Sequence, residues 1–152
     1  MEEMDWANLN HYKDDNLKIE LPLLDKNRIV FMGDSITEQW NEIVPEYFSK
    51  NKYINRGIGG QTTPQMLLRF RSDVIKLKPS VVHILAGTND VAGNTSTVTL
   101  EMILENIISM VELAKANKIK VILSSVLPAF FYPWAKEVLQ PAEKIIILNK
   151  MI

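Results

Sequence analysis

Arg28-Ile29-Val30-Phe31-Met32-Gly33-Asp34-Ser35-Ile36-Thr37 changes character in its middle. Arg28–Met32 reads as a short continuous apolar run, suited to a strand buried on both faces. After Ser35 the pattern turns helical and stays so to about Phe48. A serine at such a corner stands at the tip of a strand. Its hydroxyl is free of the core, and its backbone N–H aims toward the same opening, which is what a nucleophile requires. A rival reading exists: Ser35-Ile36-Thr37-Glu38 also fits a capping box, with a hydroxyl at the cap and a carboxylate three residues on.

Outward from this corner the same alternation repeats. Tyr53-Ile54-Asn55 reads as a second strand ending in the glycine-rich turn Gly57-Ile58-Gly59-Gly60. Thr62 or Thr63 caps the next helix, and Pro64 occupies its first turn, where no N–H is needed. Leu67, Phe70, Val74 and Leu77 recur on one face of it, and Lys78-Pro79 ends it. Ser80–Leu85 is a third apolar strand, followed by the polar turn Ala86-Gly87-Thr88-Asn89-Asp90. Leu100, Ile103, Leu104, Ile107, Ile108, Val111 and Ala114 mark a long helix. Ile119–Val126 is a fourth strand, and Pro141 opens a last helix running to Ile152. Met66, Met102 and Met110 lie on helical stripes and read as core, and the lysines of 76–78 and 115–120 as solvated helix ends.

Strands alternating with helices over short connections give parallel pairing, right-handed crossovers and helices on both faces. The expected fold is a flavodoxin-like three-layer α/β/α sandwich spanning 25–152. It is preceded by an arm, 1–24, with some helix and the apolar anchors Trp6, Leu9, Tyr12 and Leu17. In such a sheet the turns after Met32, Asn55, Leu85 and Val126 gather along one edge, where ligands bind.

Composition narrows the partners. The chain has 152 residues, 47% hydrophobic and 23% charged, with a net charge of -1. That suits one soluble domain able to bury about 70% of the surface its unfolded chain exposes. The scattered lysines give no basic stripe for a nucleic acid. Cysteine is absent, which excludes disulfides and thiolate metal sites. No run reaches the ~18 apolar residues of a membrane span. The acidic start Met1-Glu2-Glu3-Met4-Asp5 lacks a signal-peptide pattern. A cytoplasmic protein fits, as does a secreted or periplasmic one whose signal has been removed.

If Ser35 attacks a carbonyl, the resulting oxyanion needs donors at about 3 Å. The Ser35 N–H at a helix amino terminus is one, a Gly60 N–H unobstructed by a Cβ is a second, and the Asn89 amide is a third. Gly33-Asp34-Ser35-Ile36-Thr37, Gly57-Ile58-Gly59-Gly60-Gln61-Thr62 and Gly87-Thr88-Asn89-Asp90 together resemble the first three blocks of the SGNH, or GDSL-like, hydrolases. The resemblance covers roughly residues 28–150. It implies Ser35 as nucleophile and Gly60 and Asn89 as the rest of the oxyanion hole, with Gly59 as the neighbouring candidate. It further implies a metal-free and cofactor-free esterase acting on a small-molecule ester, such as an acetylated carbohydrate.

The family also carries a late Asp-x-x-His block on a further strand and loop. Residues 1–152 contain no such block, so the expectation is a domain lacking its carboxyl-terminal strand, helix and general base. His83 lies inside the third strand and reads as a core histidine, while His11 belongs to the arm with no spacing argument behind it. Asp34 reads as ordering the turn. Phe130-Phe131-Tyr132-Pro133-Trp134 follows the fourth strand. It stacks on a sugar or lines an acyl pocket in one reading, and closes over the core in the other. Two further functions stay open: a non-catalytic ligand-binding domain keeping the same pocket, and, on fold grounds alone, a nucleotide-binding domain. Oligomeric state is not readable from the sequence.

Overall fold

The computed structural model describes residues 5–19 and 28–152. The expected arm boundary at residue 24 lies outside the described residues. In chain order the elements are α1 (Lys13–Lys18), β1 (Ile29–Gly33), α2 (Ser35–Ile43), α3 (Pro45–Asn51), β2 (Ile54–Gly57), α4 (Thr63–Asp73), β3 (Val81–Leu85), α5 (Thr88–Val91), α6 (Leu100–Ala116), β4 (Lys120–Leu123) and α7 (Pro141–Met151). A single 3-10 turn, Ile75–Leu77, follows α4.

The four strands are parallel and ordered β2-β1-β3-β4. The chain steps from β1 to one side and then crosses to the other, so strand order reverses at β1 and a crevice opens at its carboxyl end. Register makes that crevice compact. Gly33, the last residue of β1, is level with Gly57 of β2 and Leu85 of β3. Three turns therefore leave the sheet from the same height.

Side chains alternate across the sheet. Val30, Met32, Val82 and Ile84 enter the main core with Met66 and Phe70 of α4, Ile103, Ile107 and Met110 of α6, and Ile145 and Leu148 of α7. Phe31 and His83, partners in register, face the other way. There Phe31 meets Trp40 of α2 and Phe48 of α3 edge-on. Helices thus cover both faces, as an α/β/α sandwich requires.

Several elements depart from the sequence expectation. The helix after Ser35 breaks at Val44 (φ −133°, ψ 61°) because Pro45 follows it. Proline disfavours helical geometry in the residue before it and removes one N–H from the ladder. β4 is shorter than Ile119–Val126 and stops at Leu123. Met102 is half exposed, lying one position off the buried stripe Ile103, Ile107, Met110 and Ala114. In the arm, Trp6, Leu9 and Leu17 are exposed rather than anchored. Polar contacts hold the arm instead. Tyr12 Oη donates to the Gly57 carbonyl, and Asn16 Oδ1 accepts from Arg56 Nε and Nη2 at 3.0 and 2.7 Å.

Gly57 has no room for a side chain. A Cβ there would sit 2.2 Å from the Glu38 nitrogen, because α2 starts directly above the end of β2.

Candidate active site at the strand ends

Asp34, not Ser35, caps α2: its carboxylate accepts the Ile36 N–H at 2.9 Å. The capping-box reading of Ser35 is therefore corrected. With the cap supplied by its neighbour, Ser35 is the first helical residue, half-buried. Neither its Oγ nor its N–H hydrogen-bonds to any described residue. Asp34 itself is buried, and burial pushes its pKa up to about 6.

The second turn lies against this serine. A Cβ built on Gly59 would come 3.8 Å from the Ser35 Cβ. The Gly59 N–H is occupied, donating to Glu38 Oε2 at 2.8 Å. Gly60 takes φ +74°, a conformation glycine adopts at little cost. Its N–H has no partner among the described residues. Its carbonyl accepts from Asn94 Nδ2 at 3.0 Å.

The third turn winds into α5, which carries Asn89. This side chain is buried, and its Nδ2 donates to the Gln61 carbonyl at 3.0 Å. Its Oδ1 accepts from Asn94 Nδ2 at 3.1 Å. A carboxamide nitrogen carries two protons, so one remains after the bond to Gln61. Asp90 reaches across to the start of α4. It accepts the Thr63 N–H at 3.0 Å and the Thr63 hydroxyl at 2.6 Å. A carboxylate here complements the positive end of the helix. Burial pushes the Asp90 pKa up, against the Thr63 bonds that pull it down.

Beneath the turns sits Arg69, fully buried on α4. It donates to Gln61 Oε1, to Asp73 Oδ2 at 3.1 Å and to the Gly33 carbonyl at 3.1 Å. One guanidinium thereby ties the first turn to the second. The sequence carried a signal for it: Met66, Arg69, Phe70 and Asp73 follow helical spacing with opposite charges four residues apart. A charged residue in a helix is read by default as solvent-facing, and this one is not. Asn94 and Asn16 carried no such signal, and Tyr12 read only as an apolar anchor rather than as a donor to Gly57. Their partners are distant in sequence, and no local pattern announces such pairs.

Neither histidine hydrogen-bonds Ser35. His83 sits mid-strand with Nε2 at 2.5 Å from the Ser124 hydroxyl, its buried Nδ1 has no partner among the described residues, and burial pushes its pKa down. The expected core histidine is thus only half satisfied. His11 Nε2 lies 4.0 Å from Glu38 Oε1, on the same carboxylate that holds Gly59. The aromatic segment divides between its two readings. Tyr132 is buried over the core and hydrogen-bonds the Thr88 hydroxyl at 2.9 Å. Phe130, Phe131 and Trp134 are exposed, and the Trp134 ring walls a pocket of about 430 Å³ that also touches Gly60 and Asn94. No helix among the described residues is long and apolar enough to cross a membrane.

Comparison with known proteins places this arrangement. A solved GDSL-like lipase of Bacteroides thetaiotaomicron VPI-5482 is 51% identical, with a TM-score of 0.94 over 96% of this chain and 71% of its own. The uncharacterized lipoprotein YqeF of Bacillus subtilis (strain 168) is 37% identical over 95 residues, 60% of this chain and 39% of that protein. The human platelet-activating factor acetylhydrolase IB subunit alpha2 is 38% identical over 65 residues, 41% of this chain and 28% of that protein. The matched stretches thus cover well under half of these two curated relatives. The family model described as GDSL-like Lipase/Acylhydrolase matches residues 31–152, from β1 through all three turns to the end of α7. With both its sequence blocks and its fold accounted for in this way, the chain belongs to the GDSL-like lipase/acylhydrolase family.

Proposed function

We propose that the protein is a serine esterase that removes a small acyl group, such as acetyl, from an ester, including an acylated carbohydrate. Ser35 Oγ attacks the carbonyl carbon and gives its proton to a base. The carbonyl oxygen becomes an oxyanion held by the Ser35 N–H, the Gly60 N–H and the second proton of the Asn89 amide. The ester C–O bond then breaks, the alcohol leaves with a proton, and water hydrolyses the acyl-serine. No metal or cofactor takes part.

One observation carries this reading. Among the described residues, the Ser35 hydroxyl and N–H, the Gly60 N–H and one Asn89 amide proton make no hydrogen bond, and all lie in the turns that leave the level ends of β1, β2 and β3. Family membership and the acetylhydrolase named among the relatives support the ester. Among the described residues neither histidine hydrogen-bonds Ser35 to act as its base. A serine without a base is a weak nucleophile near neutral pH.

A second reading, favoured by the absence of a Ser35–imidazole contact among the described residues, is a pocket that binds esters without cleaving them. Turnover of p-nitrophenyl acetate with and without added imidazole, beside Ser35→Ala, separates the two. The esterase reading expects imidazole to raise release of p-nitrophenol above that of Ser35→Ala by about tenfold or more. Equal rates for both proteins at every imidazole concentration would leave the binding reading.

A further inference from the structure

We propose that Asn94 is a positioning residue that sets the oxyanion pocket, with the Trp134 indole as its latch. The inference rests on the esterase reading and adds to it a residue outside the three family blocks.

Asn94 follows Gly93, which takes φ +74°, in the turn after α5. Its backbone N–H donates to the Asn89 carbonyl at 3.0 Å, which seats the turn on the residue it serves. The side chain then uses both of its amide protons and one lone pair of its oxygen. Nδ2 donates to the Gly60 carbonyl at 3.0 Å and to Asn89 Oδ1 at 3.1 Å, while Oδ1 accepts from Trp134 Nε1 at 3.0 Å. The orientation of the carboxamide follows from these partners. A flipped amide would set its oxygen against two acceptors and its nitrogen against a donor.

The two groups it touches are those that complete the oxyanion hole. Gly60 has no side chain to brace it, so hydrogen bonds alone fix the direction of its N–H. The Glu38 carboxylate holds the N–H before it, and Asn94 holds the carbonyl after it. The Asn89 carboxamide is likewise pinned at both ends. Its nitrogen donates to Gln61 and its oxygen accepts from Asn94, which leaves the second amide proton one direction to point. Donation into Oδ1 also polarises that amide and strengthens the remaining N–H as a donor. Trp134 is exposed but leans on Tyr132, with ring centroids 5.3 Å apart, and Tyr132 is tied to Thr88 beside Asn89. The latch thus closes on the same turn it steadies.

The test compares wild type with Asn94→Ala, Asn94→Asp and Trp134→Phe in the imidazole-assisted p-nitrophenyl acetate assay, and records 15N–1H spectra of each. Asn94→Asp keeps an oxygen for the indole but sets a carboxylate against two acceptors. The expected result is a kcat lower by about 10- to 100-fold in both Asn94 variants, with KM changed by less than about threefold. Trp134→Phe, which keeps a ring but removes the N–H, is expected to lower kcat by about three- to tenfold. Signals of the Gly60 amide and the Asn89 side-chain NH2 should shift in both Asn94 variants. If Asn94→Asp kept kcat within about twofold of wild type while Ser35→Ala and Asn89→Ala lost activity, the positioning role would be overturned and the esterase reading would stand. If wild type showed no Ser35-dependent turnover, the esterase reading would fall. The spectra alone would then decide the role of Asn94, and unmoved Gly60 and Asn89 signals would reject it.

Discussion

Asp34 occupies a corner almost closed to water, where its carboxylate both caps α2 and stands beside the proposed nucleophile. Burial raises its pKa from the usual 3.8 to about 6. A raised value means that the folded state favours the protonated form. The associated stability is full below about pH 4 and is lost as pH rises through 6, by on the order of 3 kcal/mol. Urea unfolding of wild type and Asp34→Asn between pH 4 and 7 checks this. Wild type should lose stability relative to the variant as pH rises, and parallel profiles would contradict the assignment. Arg69 presents the opposite case, a buried charge with every partner in place. Replacing it with Met leaves Asp73, Gln61 and the Gly33 carbonyl short of a donor in the interior. The expected loss is about 3–5 kcal/mol in denaturant unfolding. A loss below about 1 kcal/mol would mean that the pair is not held as described.

At the scale of elements, the approach of α2 to β2 depends on Gly57. Gly57→Ala sets a methyl against the Glu38 backbone, which flexible side-chain movement cannot relieve. Thermal unfolding should report a loss of about 1–3 kcal/mol, and an unchanged melt would show that the two elements can part freely. Strand and turn identity was legible wherever the cause was local. Ile29–Met32 and Val81–Leu85 read as buried strands from their apolar runs. The start of α4 was legible to within one residue, as Thr62 or Thr63 ahead of Pro64, and the capping box with Gln65 decides for Thr62. The rest depended on contacts that cross the chain. Ser35 fitted the cap by spacing, and only the approach of the Asp34 carboxylate to Ile36 decided between them. The break before Pro45 was legible in principle but was masked by apolar periodicity on both sides. The arm was read as docking through apolar anchors, whereas Tyr12 and Asn16 meet Gly57 and Arg56 some 40 residues away.

For the whole molecule, the sheet is covered unevenly. The face carrying Phe31 is enclosed near β1 and β2, but toward β4 it leaves Ile122 half exposed. Leu127 is exposed, as are Ile146 and Ile147 of α7, and the outer edge of β4 pairs with no described strand. An open edge beside apolar side chains favours association. Sedimentation velocity of residues 1–152 should show size rising with concentration, and Ile122→Lys should reduce it. A monomer at all concentrations would contradict this. The sheet also explains why the proposed chemistry sits where it does. Level strand ends bring the turns after β1, β2 and β3 to one opening, where among the described residues the Ser35 hydroxyl and N–H, the Gly60 N–H and one Asn89 proton have no partner. Reaction with a fluorophosphonate in the presence of imidazole as the base, followed by intact-mass and peptide mapping, tests that convergence most directly. The account predicts a single adduct on Ser35, absent in Ser35→Ala and forming about 100-fold more slowly in Asn89→Ala. Failure of Ser35 to react, or reaction at a rate indifferent to Asn89, would contradict it.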